Sequence, residues 1–370
     1  MAAAVPLHLG LALATDLSPD EAYYLCAARR GGGLVDHPPL VVWLLALSDR
    51  WVWAPVELRV RLWAVGFALA TGLACVELAR RRGAGPEGCV LAAWLGSWAL
   101  LPTAGGFVLT PDGPLLLAAT VALILVGSGR LAAAGLVLLG GGLGKVTALP
   151  IAAALGLASR RAPAGARAWL ALAPLLGLPW LWPSLRFQVH HAFGQGAPGG
   201  WSVGGAAGAL AGAVSAQMLL WSPRVTWRGM RGLGGLPEPD RALALSLTAL
   251  VLVSALVRGV PPEPNWWAPA AVVVLVAFAR SSGELSASAR RAVLASVLLP
   301  TVMAAAHVAR PFLPLPERLD PTARLHGWSH GREPSAAPGV GAYGPAAERC
   351  AYRNDCEEIM RYFNELPAHQ

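Results

Sequence analysis

Residues 115–158 read "LLLAATVALILVGSGRLAAAGLVLLGGGLGKVTALPIAAALGLA", and this stretch decides the fold class. In its first part, "LLLAATVALILVGSG", apolar residues follow one another without alternation. A strand of a membrane barrel would alternate apolar and polar residues over about ten positions, so the run is read as helix. The second part, 131–158, is flanked by arginines on both sides, Arg130 before it and Arg160-Arg161 after it. One span would put these clusters on opposite faces of a membrane. Two short helices meeting near "GGGLGK" (140–145) would return the chain to the face it left. Non-helical backbone at that depth is tolerated only where protein or a water-filled cavity surrounds it.

The rest of the chain repeats this texture. Of 370 residues, 55% are hydrophobic and only 14% charged, against about 25% charged in a typical soluble domain. Mean hydropathy is +0.51. Apolar runs of roughly the 17–25 residues needed to cross a bilayer core recur throughout. The sequence is therefore that of an all-α polytopic membrane protein. Candidate spans are 1–17, 57–79, 88–104, 114–129, the broken pair within 131–158, then 168–184, 204–221, 241–258, 266–280 and 292–309, about eleven in all. Arginine clusters at 79–88, 130, 159–167, 222–231 and 279–291 mark the inner face by the positive-inside rule. The outer connectors are then 18–56, 105–113, 185–203, 259–265 and the tail. Residues 1–309 form the transmembrane domain, with 18–56 as its first outside loop, and 310–370 form a short polar extracytoplasmic tail.

A net charge of +8 raises nucleic acid as a partner. The arginines are dispersed as topology determinants rather than gathered on one face, so no nucleic-acid partner is expected; the partner is the lipid bilayer. The first apolar segment is barely long enough to span and has no basic start. Its "ALA" resembles a signal-cleavage site, but the missing basic region argues against one, and a start site upstream is the competing account. Of five cysteines, Cys350 and Cys356 lie close together in the tail, where a local disulfide and two free thiols are both open.

Acids are scarce, so their placement carries information. Ser18-Pro19-Asp20-Glu21 is a helix-start signature, with serine as N-cap, proline at N1 and acids in the first turn. Asp36-His37-Pro38-Pro39 closes the same loop before "LVVWLLAL", which can lie along the interface. Asp112, in "LTPDGP", occupies an ordinary turn sequence. Lys145, the sole lysine, stands between apolar segments; an ionisable group at membrane depth points to function, and snorkelling is the competing account. His190-His191 together with His37 raise zinc, but adjacent histidines lack ligand spacing and no Cys or HExxH partner is present. "NWW" at 265–267 reads as an interfacial aromatic belt. All these groups fall at one membrane face. A cation there would hold phosphate, and a carboxylate would deprotonate an acceptor hydroxyl.

In order and spacing, "SPDEAYYL", "VDHPPLVVWLLAL", "LRVRLWAVGFALATG", "LTPDGPLLL" and "GGGLGKVTALPI" resemble the bacterial GT-C glycosyltransferases, in particular the protein O-mannosyltransferase and aminoarabinose transferase branch. The likeness extends more loosely to "FQVHHAFG" and "PNWWAP". It implies an integral enzyme of the bacterial inner (plasma) membrane, with its site facing the periplasm. Such an enzyme moves a sugar from a polyprenyl-phosphate carrier to a lipid, polysaccharide or protein acceptor, with inversion at the anomeric centre. By this resemblance Asp20 is the general base and Glu21 assists it. Asp36 and His37 belong to the turn that approaches the carrier phosphate, where some members carry lysine in place of His37. Arg61 and Lys145 are phosphate or structural contacts, Asp112 is the second outside-loop acid, and His190 and His191 complete the substrate-binding set. No cofactor is implied, because the branch is not uniformly metal-dependent, and a divalent metal is compatible with it. The alternative reading is a non-catalytic or transporter-like protein handling lipid-linked saccharides. Against it, the polar groups cluster on one face and no inverted repeat is visible.

Overall fold

The computed structural model describes residues 4–32, 34, 36–194, 200–315, 320, 322–326 and 352, with the side chains of 190–194, 284 and 324 excepted. All regular structure among them is helical. The chain begins with α1 (Ala4–Ala14), α2 (Pro19–Arg29) and α3 (Leu40–Ser48), then enters the long α4 (Val56–Arg81). There follow α5 (Pro86–Trp98), α6 (Leu100–Phe107), α7 (Asp112–Gly127), α8 (Leu131–Gly142) and α9 (Ala148–Ala158). The remainder is α10 (Ala164–Leu172), α11 (Leu178–Gly194), α12 (Val203–Trp221), α13 (Pro223–Gly232), α14 (Glu238–Arg258), α15 (Ala268–Ser281) and α16 (Ala287–Ala309).

Among the described residues, five helical stretches are long and apolar enough to cross a bilayer: α4, residues 164–189 running from α10 into α11, α12, α14 and α16. Counting α5 and α6 as one span bent by 54° makes six. The expectation of about eleven spans treated each apolar run as a crossing. The structure divides several runs into helices too short to cross alone: α1, α7, α8 and α9 have 11, 16, 12 and 11 residues. At 1.5 Å per residue, 12 residues reach about 18 Å, well short of a hydrocarbon core of about 30 Å. The expected break within 131–158 is present, since α8 ends at Gly142 and α9 begins at Ala148.

α15, within the span expected over 266–280, lies in the core of the bundle. Every residue from Ala268 to Ala279 is buried, as suits a helix apolar on all sides. α13, α14 and α5 pack around it. Glycine lets α5 approach closely, because a side chain at Gly88 would strike the Ala279 carbonyl. At the arginine-rich end, Arg82 bonds Asp240 at 2.5 and 2.9 Å and the Leu123 carbonyl at 3.0 Å, tying α4, α14 and α7 together. At the opposite end α2 and α3 pack on each other over a cluster that includes Tyr23, Leu25, Val41, Leu45 and Val60. Cys26 is disulfide-bonded whereas Cys75 and Cys89 are free. Cys350 and Cys356 lie outside the described residues.

Candidate functional site

The site is built from the loop between α1 and α4. Ser18 caps α2 in the expected manner: its hydroxyl accepts from the Glu21 amide at 3.3 Å, and Glu21 Oε2 accepts from the Ser18 amide at 2.9 Å. This capping box satisfies two orphan donors of the first turn. Glu21 does more than cap. It is completely buried, and its Oε1 also accepts from the Leu109 amide at 2.9 Å. Arg61 of α4, likewise without exposed surface, donates to both of its oxygens at 3.0 and 2.9 Å. The remaining guanidinium hydrogens go to Ala12 O and Thr15 O at 2.9 Å, Thr15 Oγ1 at 2.7 Å and Asp16 O at 2.5 Å.

Of the two readings of Arg61, phosphate contact or structural contact, these geometries favour the structural one. Arg61 has no hydrogen left to offer a phosphate and no surface from which to offer it. It is the internal clamp joining α1, α2 and α4. Glu21 spends its lone pairs on Arg61, Ser18 and Leu109. Asp20, one residue earlier in the same first turn, is exposed. The helix that locks Glu21 inward thus presents Asp20 outward.

A second node lies on the α7 side. Lys145 Nζ donates to Asp112 Oδ1 at 2.7 Å, and Asn265 Nδ2 donates to Asp112 Oδ2 at 2.8 Å. Lys145 is 8% exposed and does not snorkel: its charge is met inside by Asp112 at the start of α7. Gly144 makes this possible, since a side chain there would run into Pro114. The nodes are joined twice. Leu109, bonded to Glu21, precedes Asp112 by three residues, and the Leu40 amide donates to the Leu143 carbonyl at 2.9 Å. The second bond sets the His37-Pro38-Pro39 turn against the break between α8 and α9.

Around that turn, Tyr23 donates to Asp36 Oδ1 at 3.1 Å, and Gln188 Nε2 donates to the Asp36 carbonyl at 3.1 Å. His37 Nε2 stands 3.7 Å from Asp36 Oδ2 and packs edge-on against Tyr24. The side chains of His190 and His191 lie outside the described residues. Among the described residues no three His, Cys, Asp or Glu side chains converge as metal ligands would.

Sequence reasoning missed Asn265, taken as part of an aromatic belt, and Gln188. Asn265 is a lone amide beside two tryptophans, and that is the signal that would have found it; Gln188, between Arg186 and His190-His191, carries no such signal. It also missed Tyr352, whose hydroxyl accepts from the Leu17 amide at 2.8 Å and donates to Glu57 at 2.9 Å. Burial pushes this phenol well above its ordinary pKa, and the nearby Glu57 and Asp16 charges add to that against the bond from Leu17. The phenol therefore stays protonated as a donor. A cavity of 290 Å³ opens beside Asp112 and Asn265, walled by Phe67, Leu101, Val108, Leu116 and Val272. Asn265 Oδ1 and Trp221 Nε1, both on its lining, have no hydrogen-bond partner among the described residues. The arrangement is a greasy chamber with a few polar groups at one end, the usual make-up of a small-molecule pocket.

No protein-family model matches the sequence, and no curated protein matches it. Two solved structures do match the fold. One is ArnT from Cupriavidus metallidurans bound to undecaprenyl phosphate, with a TM-score of 0.61 and 14% identity over 83% of this chain and 63% of that one. The other is ArnT from the same organism in the apo state, with a TM-score of 0.56 and 15% identity over 81% of this chain and 62% of that one. The chain spans less than two thirds of the length of these structures. The all-helical membrane fold is thus similar to that of the aminoarabinose transferase branch of the GT-C glycosyltransferases, the branch whose motifs the sequence resembles.

Proposed function

We propose that the protein is an inverting glycosyltransferase that moves a sugar from a polyprenyl-phosphate carrier to an acceptor hydroxyl at the outer face of the inner membrane. The observation that carries this reading is the pairing of an exposed Asp20 with a buried, fully engaged Glu21–Arg61 clamp. A carboxylate held at a fixed position on a rigid helix start is what general-base catalysis requires. The solved fold relative was captured with undecaprenyl phosphate, which supports a polyprenyl-phosphate donor here.

The chemistry follows from the roles. Asp20 takes the proton of the acceptor hydroxyl as its oxygen attacks the anomeric carbon. The bond from that carbon to the phosphate oxygen breaks, and the electron pair leaves with the carrier phosphate. Attack and departure lie on opposite faces of the sugar, so the configuration inverts. His37, on the turn locked against the α8–α9 break, and Lys145 within that break are the groups offered to the departing phosphate; hydrogen-bond donors and positive charge aimed at developing negative charge lower the barrier. The apolar cavity beside Asp112 suits hydrocarbon. Acceptors of the lipid, polysaccharide and protein classes all present the required hydroxyl.

The test is transfer by the purified protein in detergent, given undecaprenyl-phosphate-linked hexose, pentose and aminosugar donors with a cell-envelope extract as acceptor. Release of undecaprenyl phosphate in step with an inverted glycoside is the expected result. A folded protein that turns over none of the three donors contradicts the proposal.

A further inference from the structure

We infer that α13 is a docking helix for anionic phospholipid headgroups, on the membrane face opposite the Asp20 site. The helix reads "PRVTWRGMRG" and joins two full-length spans, α12 and α14. Its start forces a sharp turn. Ser222, the only non-glycine among the described residues with positive φ, holds φ 76°, and Pro223 follows at the first helical position. Backbone in this region is unfavourable for a residue with a Cβ. Here it is accompanied by a 3.0 Å contact between the Ser222 and Ser296 hydroxyls.

The two faces of α13 differ completely. Val225, Thr226 and Gly229 are buried, and Gly229 lies so near α15 that any side chain would strike the Val274 carbonyl. The helix is therefore pinned flat on the core. The other face carries Arg224, Trp227, Arg228 and Arg231, all exposed, with the Arg231 guanidinium 6.0 Å from the Trp227 ring. Residues 224, 227, 228 and 231 follow the three-and-four spacing that makes one helical stripe. Across the same end of the molecule the described acids are already engaged: Glu77 with Arg80 and Arg81, Glu87 with Arg290, Asp240 with Arg82 and Glu238 with Arg160. Among the described residues, Arg224, Arg228 and Arg231 form no ion pair.

Three uncommitted arginines and a tryptophan on a helix lying between two spans make an interfacial surface. Its complement is a layer of phosphates with net negative charge. A zwitterionic headgroup supplies phosphate but cancels the field, whereas an anionic lipid does not. The inference rests on the membrane-spanning fold and not on glycosyl transfer.

The test is native mass spectrometry of the full chain in neutral detergent, titrated with phosphatidylglycerol or with phosphatidylcholine of the same acyl chains. The wild-type protein should retain phosphatidylglycerol in preference, and this retention should fall as ammonium acetate is raised. Each basic residue near an anionic surface contributes roughly fivefold in binding, so R224Q/R228Q/R231Q should weaken the tightest phosphatidylglycerol adduct by on the order of 100-fold. The thermal midpoint in neutral detergent, expected to be unchanged in the variant, reports that it is folded; the salt titration tests the wild-type protein alone should it not be. Equal retention of the two lipids by the wild type, or an unaltered phosphatidylglycerol adduct in a folded variant, overturns the inference. So does displacement of the lipid by millimolar inorganic phosphate, which would make the stripe a simple anion site.

Discussion

Replacing Arg61 by methionine tests the structural logic of the site most sharply. Methionine keeps an unbranched side chain of similar length and removes every donor. Glu21 would retain the Ser18 and Leu109 amides but lose its countercharge, while the carbonyls of Ala12, Thr15 and Asp16 would lose their shared partner. Removing one member of a buried ion pair costs about 3–5 kcal/mol, a large share of the roughly 5–15 kcal/mol that holds a native protein together. Domains of 150–250 residues shift by about 2–4 °C per kcal/mol, so the loss should appear as a drop on the order of 10 °C in the thermal midpoint in detergent. Adding Glu21→Gln removes the stranded charge. It should return part of the loss, with a coupling of about 1–3 kcal/mol between the sites. Arg80, exposed and paired with Glu77 on the surface of α4, supplies the contrast: Arg80→Met should leave the midpoint unchanged. A shift below about 2 °C for Arg61→Met, or a double variant whose loss is the sum of the singles, would refute the clamp.

The other expectations concern the second node and the tail. Lys145→Met strands the Asp112 carboxylate beside Asn265, and Asp112→Asn in the same chain should restore at least half of the lost thermal stability; a further loss in the double variant would show that the two groups are not a pair. Tyr352→Phe removes the bonds to Leu17 and Glu57, worth about 1–3 kcal/mol together at 0.5–1.5 each. It should lower the midpoint by a few degrees, and an unchanged midpoint would mean that the tail does not brace the start of α2.

Much of this was legible in the sequence because the signals were local. The Ser18 cap and its reciprocal Glu21 arise within four residues, and the α8–α9 break is written in "GGGLGK" and the arginines flanking it. The number of spans was not legible. Apolar runs such as α7 to α9 and α15 look alike by composition, and only the folded structure shows that α15 is enclosed on all sides while α8 and α9 are short helices divided at Gly142. The contrast between an exposed Asp20 and a buried Glu21 was equally out of reach. Both are first-turn acids, and which of them turns inward depends on Arg61, 40 positions away, and on an amide at Leu109. Asn265 and Tyr352 join the site through bonds across 153 and 295 positions, distances over which no sequence pattern reports.

The measurement that bears most directly on the central claim is turnover by Asp20→Asn with an undecaprenyl-phosphate-linked sugar, alongside its thermal midpoint and its affinity for undecaprenyl phosphate. Asparagine keeps the shape of the exposed residue and removes its basicity. The account predicts a fall of at least roughly a hundredfold in turnover, the scale of general-base catalysis, with midpoint and carrier affinity unchanged. Turnover equal to that of the wild-type protein would contradict it and remove Asp20 from the chemistry.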